Sequence, residues 1–113
     1  MIGRYPHRVI VQRLTKMPDN GGGYFSSWVN VDQLRAMVAP LSGAELLQAQ
    51  RLNNQITHRI LTKYTKNLSE SDRILWNGRT FNIVSLLNVQ ERNRELILTA
   101  VEGDMQFDES SQS

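Results

Sequence analysis

A chain of 113 residues, 40% hydrophobic and 21% charged, has the composition of one ordinary globular domain with a single modest core. It contains no cysteine, which excludes a disulfide scaffold, thiol catalysis and cysteine-ligated zinc. The formal net charge of +2 does not by itself announce a nucleic-acid binder. No apolar run is long enough to span a bilayer, and the start "MIGRYPHR" lacks the apolar stretch of a secretory signal, so no membrane partner is expected.

The first element is "HRVIVQRL" (7–14), rich in β-branched residues and apolar on two faces, which reads as a strand. "PDNGGG" (18–23) has turn chemistry at nearly every position and predicts a mobile connection. "YFSSWVNV" (24–31) has strand propensity with weak alternation, and "QLRAMVAPL" (33–41) alternates better until Pro40 ends the ladder.

Next comes "PLSGAELLQAQRLNNQ" (40–55), a helix start in a chain that otherwise alternates like a sheet. Ser42 and Glu45 have capping-box spacing, and Leu41 and Leu46 occupy the two staple positions. Two or three turns are expected, ending among Leu52, Asn53 and Asn54. A helix that short needs a surface to pack against, and its plain role is a lid over an open end of the sheet.

"ITHRILTKY" (56–64) places Ile56, His58, Ile60, Thr62 and Tyr64 on one face and leaves Thr57, Arg59, Leu61 and Lys63 on a wetter one. In "RILWNGRTFNIV" (73–84), Asn77-Gly78 supplies two positive-φ residues between apolar flanks and predicts a tight hairpin. "RELILTAV" (94–101) sets Leu96, Leu98 and Ala100 opposite Ile97, Thr99 and Val101. The fold class is mostly β: a small curled sheet or β-barrel of six to seven short strands with one short helix or mobile loop insertion. Residues 1–102 are expected to form that domain, and 103–113 an acidic, disordered tail.

Charge is unevenly spread. Arg4, Arg8, Arg13 and Lys16 precede any acid, and Arg51, Arg59, Lys63 and Lys66 lie between Glu45 and Glu70 with no acid among them. The end of the chain reverses the sign with Glu102, Asp104, Asp108 and Glu109. Catalytic chemistry is thin. Two histidines without a third spaced ligand predict no metal site, the glycine run lacks the Lys-Ser/Thr of a phosphate loop, and no acid–base pair or nucleophile elbow stands out. No enzyme and no cofactor are expected, which leaves a structural or binding module.

The order of "RVIVQR", "DNGGG", Trp28, "AMVAPLSGAELLQAQ", "HRILTKY", "ILWNGRTFNI" and "RELILTAVE" resembles the head–tail joining proteins of long-tailed phages, also called stopper or head-completion proteins. The likeness runs from Arg8 to Glu102. It implies a virion protein at the head–tail interface, present in the host cytoplasm during assembly. Such proteins form a ring, expected here to be twelvefold, beneath a portal-adaptor protein and above the tail or a tail-completion protein. The ring surrounds packaged double-stranded DNA. By the same resemblance the segment after "PLSGAE" lines or plugs the channel. Its members here are Ser42, Glu45, Leu46, Gln48, Gln50, Arg51, Asn53 and Asn54, with Arg51, Arg59, Lys63 and Lys66 as DNA-facing cations. The rival reading is a small barrel that binds nucleic acid by base stacking, which requires aromatic side chains gathered on one face. The aromatics, Tyr5, Tyr24, Phe25, Trp28, Tyr64, Trp76, Phe81 and Phe107, show no such pattern.

Overall fold

Side chains on a strand alternate between its two faces, so burying every second residue on six successive strands curls the sheet around a dry interior. The computed structural model describes residues 4–52 and 55–103. It contains β1 (His7–Pro18), β2 (Tyr24–Pro40), α1 (Gly43–Arg51), β3 (His58–Lys63), β4 (Arg73–Trp76), β5 (Arg79–Asn88) and β6 (Glu95–Glu102), with one 3-10 turn at Val89–Glu91. The strands form a closed barrel in the order β1-β2-β3-β6-β5-β4, and all neighbours are antiparallel. Inside lie Val9 and Val11, Ala36 and Val38, Ile60, Ile74, Phe81, Ile83, Leu98 and Ala100. Closure leaves no long edge on the barrel itself.

Asn77 and Gly78 have φ of 57° and 76° and join β4 to β5 directly, as the type I′ turn requires. His58, Ile60 and Thr62 are buried on one face of β3 and Leu96, Leu98 and Ala100 on one face of β6, as the alternation indicates. Ile56 and Tyr64 lie just outside β3.

Two elements are longer than the sequence suggests. The runs 24–31 and 33–41 belong to one strand of 17 residues. Val11 faces Asp32 while Gln12 faces Asn30, so Val31 is an extra residue in the ladder. Such a bulge resets the alternation and makes one strand read as two. β1 also continues past Leu14 to Pro18. The connection expected to be mobile is a hydrogen-bonded turn. The Asp19 carboxylate accepts from the amides of Gly21 and Gly23, both at 2.8 Å, and Gly22 takes φ of 86°. A second bulge at Val84 lets β5 run on through Ser85–Asn88.

The consequence is an arm. β1 pairs with β4 only at Ile10–Gln12, and β2 pairs with β3 only at Ala36–Pro40. Residues 13–31 therefore project as a two-stranded ribbon, and the molecule measures 49 × 33 × 26 Å. Leu14, Met17, Tyr24 and Phe25 are exposed on it. Its root is fixed by Arg73, whose guanidinium stacks 4.2 Å from the Trp28 ring, and by Arg13, which binds Asp72.

Candidate functional site

The helical insertion forms as its capping signals dictate. Ser42 is the N-cap in extended conformation, its hydroxyl accepts from the Glu45 amide at 3.2 Å, and the Glu45 carboxylate accepts from the Ser42 amide at 2.9 Å. Just before it, the Leu41 amide donates to the Thr57 carbonyl at 3.0 Å, which ties the entry of α1 to the start of β3. The other Glu45 oxygen accepts from Arg59 of β3. Glu45 thus serves both as cap and as tether. Its pKa lies below the ordinary carboxylate value, chiefly because of the Ser42 amide and then the Arg59 guanidinium.

Little else holds the helix. Of its nine residues Ala49 alone is buried. Leu46 is 36% exposed and Leu47 61%, and Leu52 at the C-cap is 64% exposed. Between α1 and the barrel wall lies a groove of about 360 Å³ whose apolar lining includes Leu41, Ala44, Ala49 and Ile56. A helix this short with one buried side chain derives little stability from packing.

The structure gathers Ser42, Glu45, Leu46, Gln48, Gln50 and Arg51 onto this element. Asn53 and Asn54 lie outside the described residues. Gln48, Gln50 and Arg51 are exposed, and Gln48 also borders the groove. The four cations expected to act together do not share one state. Arg59 is engaged by Glu45, whereas Lys63 at the end of β3 and Lys66 in the following turn are exposed.

A second cluster closes the barrel interior. His58 is 8% exposed, lies edge-on to Phe81 at 4.9 Å, and has Arg79 Nη2 3.3 Å from its Nε2. A guanidinium only donates, so Nε2 is the acceptor and the Nδ1 hydrogen goes to Thr57 Oγ1 at 2.9 Å. Arg79 also grips Glu102 through two bonds, at 2.8 and 3.0 Å. Burial pulls the His58 pKa below its ordinary value, the Glu102 charge opposes that, and the Arg79 charge adds to it. The histidine is held neutral as a packing and hydrogen-bonding residue. Among the described residues no three His, Asp or Glu side chains cluster as a metal site.

Sequence reasoning missed one juxtaposition. Arg8 and Arg35 stand directly opposite each other in the β1–β2 ladder, both exposed. Their separation in sequence hides this, and the one-residue shift at the Val31 bulge, added to the register of the Asp19–Gly23 turn, sets Arg8 against Arg35 rather than Leu34.

A closed antiparallel barrel carrying a ribbon arm and a lightly held helix is a scaffold with attachments, and its polar clusters are occupied with structure. The model of the phage head completion protein family matches residues 1–103, and the chain belongs to that family, one of structural virion proteins. The solution structure of protein SF1141 from Shigella flexneri 2a is similar to it, with TM-score 0.75 and 28% identity over 92% of this chain and 97% of that one. A chain in the virion of a native gene transfer agent particle shares the fold at TM-score 0.56 and 14% identity, over 86% of this chain and 93% of that one. No curated protein matches the chain.

Proposed function

We propose that this head completion protein assembles as a ring, twelvefold in the completed connector, beneath the portal-adaptor. There it closes the DNA channel after packaging and presents the surface on which the tail docks. The segment Ser42–Ile56 faces the channel. The observation that carries this reading is the slight hold on α1: one buried residue, one capping box and one ion pair to Arg59. An element that must shift between closing and opening a passage is drawn from the low-stability end of a fold.

Charge supports the same reading. Ring symmetry repeats each side chain around the channel, so Arg51, Lys63 or Lys66 becomes a belt facing phosphates. Release of α1 also breaks the Arg59–Glu45 pair and frees one more cation. A modest net charge of +2 suits a passage that DNA must leave as well as enter.

Deleting Gln48–Asn53 from the phage gene tests this. The core residues lie in the flanking strands, so the variant should fold and join particles. The expected result is heads that package DNA and then lose it to added nuclease. Full retention in particles that carry the variant at normal occupancy overturns the channel reading and leaves α1 as a lid.

A further inference from the structure

Like charges directly opposite on one face of a sheet are destabilising, yet Arg8 and Arg35 face each other on the outer surface of the barrel. A third cation extends the pair. Thr62 faces Ala36 in the next ladder, so Lys63 on β3 comes level with Arg35 and, like it, points away from the core. Lys63 in turn faces Glu95 on β6, but that carboxylate is held by Arg4 at 3.0 Å and by Tyr5 at 2.8 Å. Four cations, Arg4, Arg8, Arg35 and Lys63, against the one acid Glu95 leave this stretch of surface at +3.

Among the described residues none of Arg8, Arg35 and Lys63 forms an ion pair. The nearby Asp32 carboxylate accepts from the Gln33 amide. Beside the two arginines lies a groove of about 330 Å³, with Gln33 and Leu34 in its walls. Its polar lining is thus two guanidiniums and a neutral carboxamide, a set that receives an anion.

The occupant follows from where the row lies. Arg59 stands on the outward face of β3 four residues before Lys63, about 13 Å away along the strand. Its partner Glu45 belongs to α1, so the helix and the row share one outer face of the barrel. A ligand that passes α1 also passes the row. We infer that Arg8, Arg35 and Lys63 hold the phosphate backbone of duplex DNA, an assignment that rests on the channel reading of α1 and adds two arginines to it.

Spacing agrees with that occupant. At the usual distance between strands the row spans about 10 Å, along which one DNA strand carries about three phosphates. A second copy of this chain is a poor match, because Glu45, Asp72, Glu95 and Glu102 are each bound to a cation already. Contacts to phosphate alone read no sequence, which suits a passage for a whole genome. DNA also relieves the repulsion between Arg8 and Arg35, which the free chain carries uncompensated.

The full chain, titrated with a fluorescent duplex and read by anisotropy, tests this. Arg8→Gln with Arg35→Gln should weaken binding about tenfold at about 50 mM salt and lower the slope of log affinity against log salt by about 2. Lys16→Gln with Arg92→Gln removes the same charge elsewhere and should leave affinity within about twofold. Arg8→Glu gives Arg35 a cross-strand partner and should raise the melting temperature while weakening the duplex, which separates lost binding from lost folding. Absence of binding by the parent chain at low salt overturns the proposal, as does an equal loss in the two double variants. Displacement of the duplex by an equal charge of polyglutamate also overturns it, in favour of an acidic protein partner. The titration reads the row in the free chain, whereas nuclease access to heads reads α1, so each can fail without the other.

Discussion

Arg13 holds Asp72 through two parallel hydrogen bonds, Nε to Oδ1 and Nη2 to Oδ2, each 2.9 Å long. The Asp72 side chain is fully buried while that of Arg13 is 42% exposed, so the pair is a desolvated carboxylate closed over by a half-wet guanidinium. The same carboxylate accepts from the Ser69 amide at 3.0 Å, and Arg13 also donates to the Asn67 carbonyl at 2.8 Å. These bonds fasten the root of the arm to the loop before β4. Removing one partner of a buried pair costs more than removing both, because the survivor stays buried and unpaired. Arg13→Met should therefore lower the melting temperature clearly, and Arg13→Met with Asp72→Leu should recover part of the loss. A double variant no more stable than the single one shows that the buried charge is not what Arg13 neutralises.

The β4–β5 turn provides a backbone test. Gly78 has φ of 76°, a conformation that a β-branched residue resists, and nothing crowds the space where its Cβ would stand. With the Cβ uncrowded, backbone strain is the expected effect of Gly78→Val, which should cost about 1 kcal/mol or more in denaturant unfolding. An unchanged midpoint counts against the turn type.

Much of the barrel was legible because it depends on local rules. Alternation assigned the inward face of β3 and separated the two faces of β6, Asn77-Gly78 fixed the register of β4 against β5, and the Ser42/Glu45 spacing gave α1. The arm was not, because a two-stranded ribbon wet on both sides buries no consistent face. The bulge at Val31 then breaks the period where the ribbon meets the barrel. The candidate site divides the same way. The cap within 42–45 is local, whereas the Glu45–Arg59 tether and the Arg8–Arg35 face join residues that only the tertiary fold brings together. Arg59 in particular looked like a free cation in the sequence, since its partner belongs to another element.

His58 makes stability depend on pH near neutrality. Burial, the largest influence, lowers its pKa, while Glu102 pulls the other way and Arg79 reinforces the lowering. The unfolded chain takes up the proton near pH 6.5, and the folded one resists it until lower pH. The contribution of neutral His58 is therefore intact above about pH 6.5 and is lost as pH falls toward the folded value. The melting temperature should decline from about pH 6.5 to 5, and His58→Gln should flatten that stretch of the curve. An imidazole that titrates at or above 6.5 in the folded protein by NMR excludes this account.

Glu45 is expected to give α1 a separate acid sensitivity at lower pH. Its folded-state pKa is depressed first by the Ser42 amide and then by Arg59, with burial opposing. The stabilisation is complete above the unfolded carboxylate value of about 4.3 and disappears as pH drops through the lower folded value. In β3 and β6 the carboxylates that are held, Glu95 and Glu102, stand at the two ends of β6, and the ladders between them are backbone bonds around a dry core. Acidification from about pH 6 to 3 should raise the exchange rates of the α1 amides, after correction for intrinsic chemistry, before those of β3. Glu45→Gln at pH 6 should reproduce that loosening. Arg59→Met should reproduce only part of it, because the Ser42 bonds remain. If the α1 and β3 amides lose protection together across the titration, the helix opens only with the barrel, and a segment that moves independently of the fold is excluded.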